Sequence, residues 1–416
     1  MTQVKKQVDA IPVSSRFLIG MVSFLLFVAL SEAALRLFYA RDVRNDVEYY
    51  IARTFSREEW ETASRIRDIL LEIERRPFCI KDTILYRYRP VKTPYLVINS
   101  DGFRGPEVTP KQPGEYRIII TGASIGYGLY FPEEQTIAAI VEYRLRSVCP
   151  SCRITVYNLG IEGYDLQRDI AFADYLFDRI RPDLIVFYVG SADISYAYTW
   201  GYQRHEPFPH DGPFNEEQVR VLQTLYERKW VDYLRVTSLI ARAVKSERGL
   251  LPEPVFFSEP FDNTLPPDLE EKARNFGRLF VADMERAVTL FREKNTDTLF
   301  VFMTDAVYKN PLSPLESSAM KILDTMYPHY GAFALTALKA LREEVAARQF
   351  LFFRDFADIF DGVAEDIFYD FIHMTPRGNR MLAEKIFDLL VQEKVLEKAH
   401  AASIPNPSRP DQNLVP

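Results

Sequence analysis

The stretch RIIITGASIGYGL, residues 117–129, decides the fold. Ile118 to Ile120 form an uninterrupted β-branched run without polar alternation, the pattern of a strand buried on both faces. Gly122, Ser124, Gly126 and Gly128 follow at once, so the chain leaves the strand through a glycine-rich turn that carries one serine. That serine is open to three readings: a nucleophile, part of a phosphate cradle, or a turn residue. Two cradle templates fail. A P-loop needs Gly-x-x-x-x-Gly-Lys-Ser/Thr, and no lysine follows Gly128; a dinucleotide fingerprint needs Gly-x-Gly-x-x-Gly, whereas the glycines here fall at 122, 126 and 128.

Outward from this stretch the same pattern recurs. RITVYNLG (153–160), DLIVFYVG (183–190), TLFVFMTD (298–305) and FLFFRDF (350–356) are further apolar runs, each separated from the last by helix-compatible sequence. Five such runs alternating with helices predict an α/β fold: a five-stranded parallel sheet, doubly wound and flavodoxin-like, with helices on both faces. The third and fourth runs stand unusually far apart. The interval from about 195 to 270 holds WGYQRHEPFPHDGPF and the helical stretch VLQTLYERKWVDYLRVTSLIARAV, and reads as an insertion; LEEKARNFGRLFVADMERAVTLFREK (269–294) supplies the crossover helix.

Upstream, EEWETASRIRDILLEIERR (58–76) has apolar residues at helical spacing and suits a stalk or a packing helix. The tyrosine-rich, proline-broken segment TILYRYRPVKTPYLVIN (83–99) predicts short strands leading into the turn Ser100-Asp101-Gly102. The expected organisation is therefore an N-terminal anchor over 1–44, a helical stalk and short strands over 45–97, the α/β domain over 98–396, and a proline-rich disordered tail over 397–416.

With 47% hydrophobic residues in 416, the chain can bury a large core. Its 51 basic and 58 acidic residues are spread along the chain, leaving a net charge of -7 and no basic face to track phosphates, which argues against nucleic acid as a partner. Lys5, Lys6 and Arg16 precede FLIGMVSFLLFVAL (17–30), with Glu32 and Arg36 beyond it. That uncharged run is shorter than the ~18 residues of a spanning helix, and reaches spanning length when extended through Ala40 with Glu32 and Arg36 paired or snorkelling. An uncleaved signal anchor with the bulk outside the cytoplasm is the preferred reading; a cleavable signal peptide and a buried N-terminal helix are the rivals. Cys149 and Cys152 in C-P-S-C suit a local disulfide or free thiols better than half a zinc site, because no second CxxC exists, and Cys79 has no assigned partner.

In an open parallel sheet, ligands bind beyond the carboxyl ends of the strands. That rule selects Gly122-Ala123-Ser124, Asn158 to Gly163, and Gly190-Ser191-Ala192-Asp193. A serine nucleophile requires a base, and only five histidines exist. His205 and His210 lie in the insertion, His329 between helices and His400 in the tail. His373 lies just before Thr375-Pro376, a good N-cap and first helical residue, which makes Asp370 to His373 a loop at the carboxyl end of the sheet. An aspartate three residues ahead of a histidine can hold its ring and its tautomer; the same pattern also serves as a plain helix-entry hydrogen bond.

Together these blocks resemble the SGNH (GDSL-type) hydrolase superfamily, in particular its membrane-anchored bacterial members, over about residues 98–393. Asn99 to Glu107 is similar to the Asn-x-x-Gly-Phe-Arg-Gly segment that often introduces the catalytic domain, Gly122-Ala123-Ser124 falls on the Gly-Asp-Ser block, Asn158 to Tyr164 contains an Asn-x-Gly-x-x-Gly-Tyr segment, and Asp370 and His373 match the terminal Asp-x-x-His block. The resemblance implies Ser124 as nucleophile, His373 as base and Asp370 as its orienter, with the N–H groups of Ser124 and Gly163 receiving the oxyanion and with no metal or cofactor. Two positions depart from the family: Ala123 replaces the aspartate before the serine, and Ala192 stands where an asparagine would donate to the oxyanion, leaving Ser191 as a possible substitute donor. The implied activity is removal of a small, acetyl-like acyl group from an extracytoplasmic ester, an acylated carbohydrate or small ester, by a protein held at the membrane, periplasmic or on the cell surface. An O-acyltransferase with the same triad and a non-catalytic glycan- or protein-binding member are the alternatives.

Overall fold

The computed structural model describes residues 54–73, 75–80, 83–202 and 265–403. The anchor segment, most of the insertion with His205 and His210, and the chain from 404 onward lie outside them. All of the described residues fall within one unit of the chain, Tyr50–Tyr226 with Glu259–Pro416.

Each of the five apolar runs contributes one strand to a single parallel sheet: β5 (Glu115–Ile120), β6 (Arg153–Asn158), β7 (Leu184–Val189), β8 (Asp297–Phe302) and β9 (Phe353–Asp355). Before them come helix α1 (Arg57–Glu72) and two small antiparallel pairs, β1 (Arg75–Ile80) with β2 (Thr83–Tyr88) and β3 (Val91–Lys92) with β4 (Val97–Ile98). The sheet order is β6-β5-β7-β8-β9, so the chain steps to one side of β5 and then to the other. This is the doubly wound arrangement expected from sequence, and its switch point lies between β5 and β7, at the end of the strand that precedes Ser124.

Continuous apolar strands are explained by the two cores they separate. Ile119, Ile185, Phe187 and Phe300 project into one cluster, while Ile118, Ile120, Val186 and Val301 project into the other, the alternation that a pleated strand imposes. Over the first cluster lie α4 (Leu166–Tyr175), α6 (Ser191–Trp200), α7 (Pro267–Glu293) and α9 (Tyr330–Ala347); over the second lie α3 (Ile137–Val148) and α10 (Pro376–Gln392). The short α2 (Ala123–Tyr127) and α5 (Phe177–Ile180) turn the chain after β5 and after α4, and α8 (Pro314–Met326) precedes α9. Crossover helix α7 buries Ala273, Phe276, Phe280, Met284, Ala287 and Phe291, one helical face. Its Gly277 is pressed so closely on α9 that a Cβ there would stand 2.6 Å from the Ala340 carbonyl carbon.

One alternative of the sequence reading is resolved, and one boundary differs. Helix α1 packs on the domain, with Phe55, Ala63 and Ile66 buried, so of stalk and packing helix it is the latter. The tail does not begin at 397: α11 (Val395–Ser403) extends through it, anchored by Val395 and Ala399, buried one turn apart. Cys149 and Cys152 are joined by a disulfide across the turn between α3 and β6. No helix among the described residues is long and apolar enough to cross a membrane.

Candidate active site

The first loop folds as it does because two residues accept unusual backbone angles, one of them also a close approach. After Ile120 the chain reverses through Gly122 at φ +139° and Ala123 at φ +47°. A Cβ at Gly122 would lie 3.0 Å from the Tyr188 carbonyl oxygen. Ala123 holds a left-handed conformation, which costs a residue with a Cβ roughly 1–2 kcal/mol. Strain of this kind persists only where the surroundings dictate it. Its result is that Ser124 stands in the first turn of α2, where its backbone N–H has no intrahelical acceptor.

The far end of α2 is clamped by Arg104, which is fully buried. Its guanidinium donates to the carbonyls of Tyr127 (3.1 Å), Gly128 (2.8 Å) and Phe131, pairs with Glu133 at 3.1 Å, and covers the Tyr127 ring. The carbonyls that a helix end leaves unsatisfied are thus met by one planar fork. Arg104 is itself placed by the Asn99 turn, whose side chain accepts the N–H groups of Asp101 and Phe103 and donates to the Pro106 carbonyl.

The second loop lies against the first. Asn158 accepts the Gly160 N–H at 3.0 Å and reaches the Tyr127 carbonyl at 3.4 Å. Gly160 approaches α2 so tightly that a Cβ would fall 2.2 Å from the Tyr127 nitrogen. Ile161 to Tyr164 then make a turn closed by the Tyr164 N–H on the Ile161 carbonyl, with Gly163 at φ +80° in the position where a type II turn demands glycine. The Tyr196 hydroxyl, from α6, donates to the Gly163 carbonyl at 2.8 Å.

In the third loop Asp193 is the structural residue. One carboxylate oxygen accepts the Leu166 N–H at 2.9 Å and the other the Gly190 N–H at 3.1 Å, tying the start of α6 to the start of α4. Burial raises its pKa above the usual carboxylate range. Ser191 is buried and its hydroxyl has no hydrogen-bond partner among the described residues. Ala192, one turn before Tyr196, is half-buried against the cluster that contains Ala123 and Ile125.

The fourth loop is a small hairpin. The Thr375 N–H donates to the Ile367 carbonyl, Phe368 bridges Met374, and the Tyr369 N–H donates to the His373 carbonyl. Its base is held by Glu316, fully buried at the start of α8, whose Oε1 accepts the N–H groups of Ile367 (2.9 Å) and Phe368 (3.1 Å). Its Oε2 accepts the Lys309 ammonium at 2.6 Å and the Ser313 N–H at 2.8 Å. Within the hairpin Asp370 Oδ1 accepts the backbone N–H groups of Ile372 and His373, and Oδ2 lies 2.7 Å from His373 Nδ1. His373 Nε2 lies 2.9 Å from Ser124 Oγ.

The electrostatics of this pair follow from its partners. Burial disfavours the charged imidazole, but the Asp370 carboxylate and, further off, the Glu162 carboxylate outweigh it and hold the His373 pKa above 6.5. For Asp370, burial is overcome by His373 and the two backbone N–H groups, which lower its pKa below 3.8. Both side chains keep a face toward solvent, 24% exposed for His373 and 36% for Asp370, so a substrate can reach them.

Of the residues expected from sequence, Ser124, Asp370 and His373 are brought into one hydrogen-bonded chain, and the loop bearing Gly163 runs alongside it. Sequence reasoning missed Arg104, Glu316 and Lys309, and gave no role to Glu162. Arg104 lay inside a recognised segment, whereas the Lys309–Glu316 pair left no local signal.

No protein-family model matches the chain, and no curated protein matches it. Among solved structures, 46 chains match. One is an acetyl xylan esterase, AlAXEase, at 12% identity and a TM-score of 0.32, covering 66% of this chain and 99% of its own. TesA is similar at 13% identity and 0.32, covering 66% and 98%, as is a psychrotrophic esterase, EstA, from Pseudoalteromonas sp., at 10% and 0.32, covering 66% and 97%.

Proposed function

We propose that the protein is a serine esterase of the SGNH type that removes a small, acetyl-like acyl group from an extracytoplasmic ester, a polysaccharide being the natural carrier. The observation that carries this reading is the chain of contacts from Asp370 through His373 to Ser124, whose members come from opposite ends of the domain. His373 Nε2 takes the proton as Ser124 Oγ attacks the acyl carbon. Asp370 keeps Nδ1 protonated and stabilises the imidazolium. The N–H groups of Ser124 and Gly163 receive the oxyanion. Collapse of the intermediate expels the alcohol, which takes the proton from His373, and water then releases the acyl group by the reverse sequence.

A sugar hydroxyl in place of water makes the same site an O-acyltransferase. Ala192 in the asparagine position favours a different reading, a binding member that has lost one oxyanion donor, and the unpartnered hydroxyl of Ser191 is the substitute donor that would keep the site active. The export of the domain rests on the N-terminal apolar run, read as an uncleaved anchor, and is supported by the Cys149–Cys152 disulfide, a bond suited to an oxidising compartment. The test is hydrolysis of a short-chain acyl ester by the full chain beside Ser124→Ala. Activity lost in the variant supports the enzyme; equal rates, or none in either, end it.

A further inference from the structure

The mouth of the site contains charges that the triad does not use. Arg75, at the start of β1, pairs with Glu162 Oε2, and the Tyr88 hydroxyl bonds both, donating to Glu162 at 3.1 Å and accepting from Arg75 at 3.2 Å. Glu162 immediately precedes Gly163, and the Tyr88 ring packs 5.4 Å from that of Tyr127, on the nucleophile helix. The pair is exposed by somewhat more than a third. Among the described residues nothing bonds Glu162 Oε1, nor Arg75 Nε or Nη1, so one acceptor and two donors remain free beside each other. Two tyrosines lie within reach of the Glu162 charge: Tyr369, buried, is parallel to His373 at 5.8 Å, and Tyr130, partly exposed, is 6.2 Å from Tyr369 and holds a left-handed φ of +71° that an aromatic residue rarely adopts. The field of Glu162 reaches His373, Tyr130 and Tyr369 alike.

We propose that Arg75 and Glu162 bind the alcohol half of the ester, and that this half is a polyhydroxylated ring whose hydroxyls they recognise. The proposal rests on the esterase reading and deepens it. An alkyl alcohol would cover an ion pair without replacing its water, which is unfavourable. An anionic alcohol would meet Glu162 and Asp370, and a cationic one would compete with an arginine already in place. A vicinal diol both donates and accepts, matching the free Glu162 oxygen and the free arginine N–H groups, while its C–H face suits a tyrosine ring. The specificity of the site is thus shared between the β1–β2 hairpin, which brings Arg75 and Tyr88, and the loop after β6, which brings Glu162.

The experiment compares two esters with the full chain: 4-nitrophenyl acetate, whose alcohol has no neighbouring hydroxyl, and a methyl glycoside carrying one O-acetyl group. Both are measured above the titration of His373, because Glu162 also favours the imidazolium. In Glu162→Gln and in Arg75→Met, the ratio of kcat/KM for the glycoside to that for the nitrophenyl ester falls roughly ten- to hundred-fold, the loss expected of a charged hydrogen bond, mainly through KM. An unchanged ratio overturns the inference, as does a wild type that hydrolyses the nitrophenyl ester but not the glycoside. The esterase reading survives both of those results. It fails separately, and takes this inference with it, if neither ester is hydrolysed or if Ser124→Ala matches the wild type.

Discussion

Ser124 Oγ and His373 Nε2 are 2.9 Å apart although 249 residues separate them in the chain. The sheet order makes this possible: β5 lies inside the sheet between β6 and β7, the final hairpin returns to its carboxyl end, and Glu316 fixes the base of that hairpin from within the core. Chemistry at the serine depends on a His373 Nε2 free to take its proton.

The acid limb of the pH profile follows. A general base must be neutral, so kcat/KM rises as pH passes upward through the His373 pKa, with a midpoint above 6.5 because Asp370 and Glu162 favour the imidazolium. Asp370→Asn removes the larger of these attractions. Its midpoint moves to lower pH and kcat drops roughly 10⁴-fold, the loss known when a triad aspartate becomes an amide. A profile with no titration above 6.5 in the wild type contradicts the assignment.

Ala192→Asn restores an amide where the resemblance expects one. The expected result is a rise in kcat of up to ~10²–10³ with little change in KM, since such a donor acts on the transition state. An unaltered kcat means that the oxyanion is held by other groups, Ser191 among them.

Arg104→Lys replaces a fork by a point charge and cannot serve the Tyr127, Gly128 and Phe131 carbonyls together. Urea denaturation should record a loss of about 1–3 kcal/mol, the cost of leaving buried acceptors unpaired. A loss within error would show that the clamp is dispensable.

Asp305 is buried after β8, with Oδ1 accepting the Val307 N–H and Oδ2 unpartnered among the described residues. Burial raises its pKa from 3.8 to about 7. A carboxyl raised on folding contributes stability that is complete below the unfolded pKa and lost as pH rises through the folded one. Relative to Asp305→Asn, the wild type should therefore lose stability from pH 4 to pH 7, by at most about 1.4 kcal/mol per unit. A difference that is flat with pH refutes the shift.

The parts legible in the sequence were those written in local pattern. Apolar runs such as Asp183 to Val189 declare a strand buried on both faces, and Asp370-x-x-His373 declares its own hydrogen bond because three residues span a single turn. The Ser124–His373 contact depends on the whole topology; sequence put both residues at the carboxyl end of the sheet, and the resemblance of four blocks in order paired them. Arg75 and Glu162 meet across 87 residues, and Lys309 and Glu316 are a buried pair whose purpose, holding Ile367 and Phe368, exists only in three dimensions. The helix Val395–Ser403 runs past the boundary expected at 397 because prolines dominate the composition there, while two apolar residues, Val395 and Ala399, suffice to dock it; the rest of the tail lies outside the described residues.

The central claim is that His373 activates Ser124 for attack, and covalent labelling tests it most directly. The full chain is incubated with a fluorophosphonate, whose phosphorus captures an activated serine oxygen with loss of fluoride, and the digest is read by mass spectrometry. The account predicts one adduct, on Ser124, formed rapidly in the wild type and slowed by several orders of magnitude in His373→Ala. No adduct on Ser124, or labelling as fast without His373 as with it, would contradict the account.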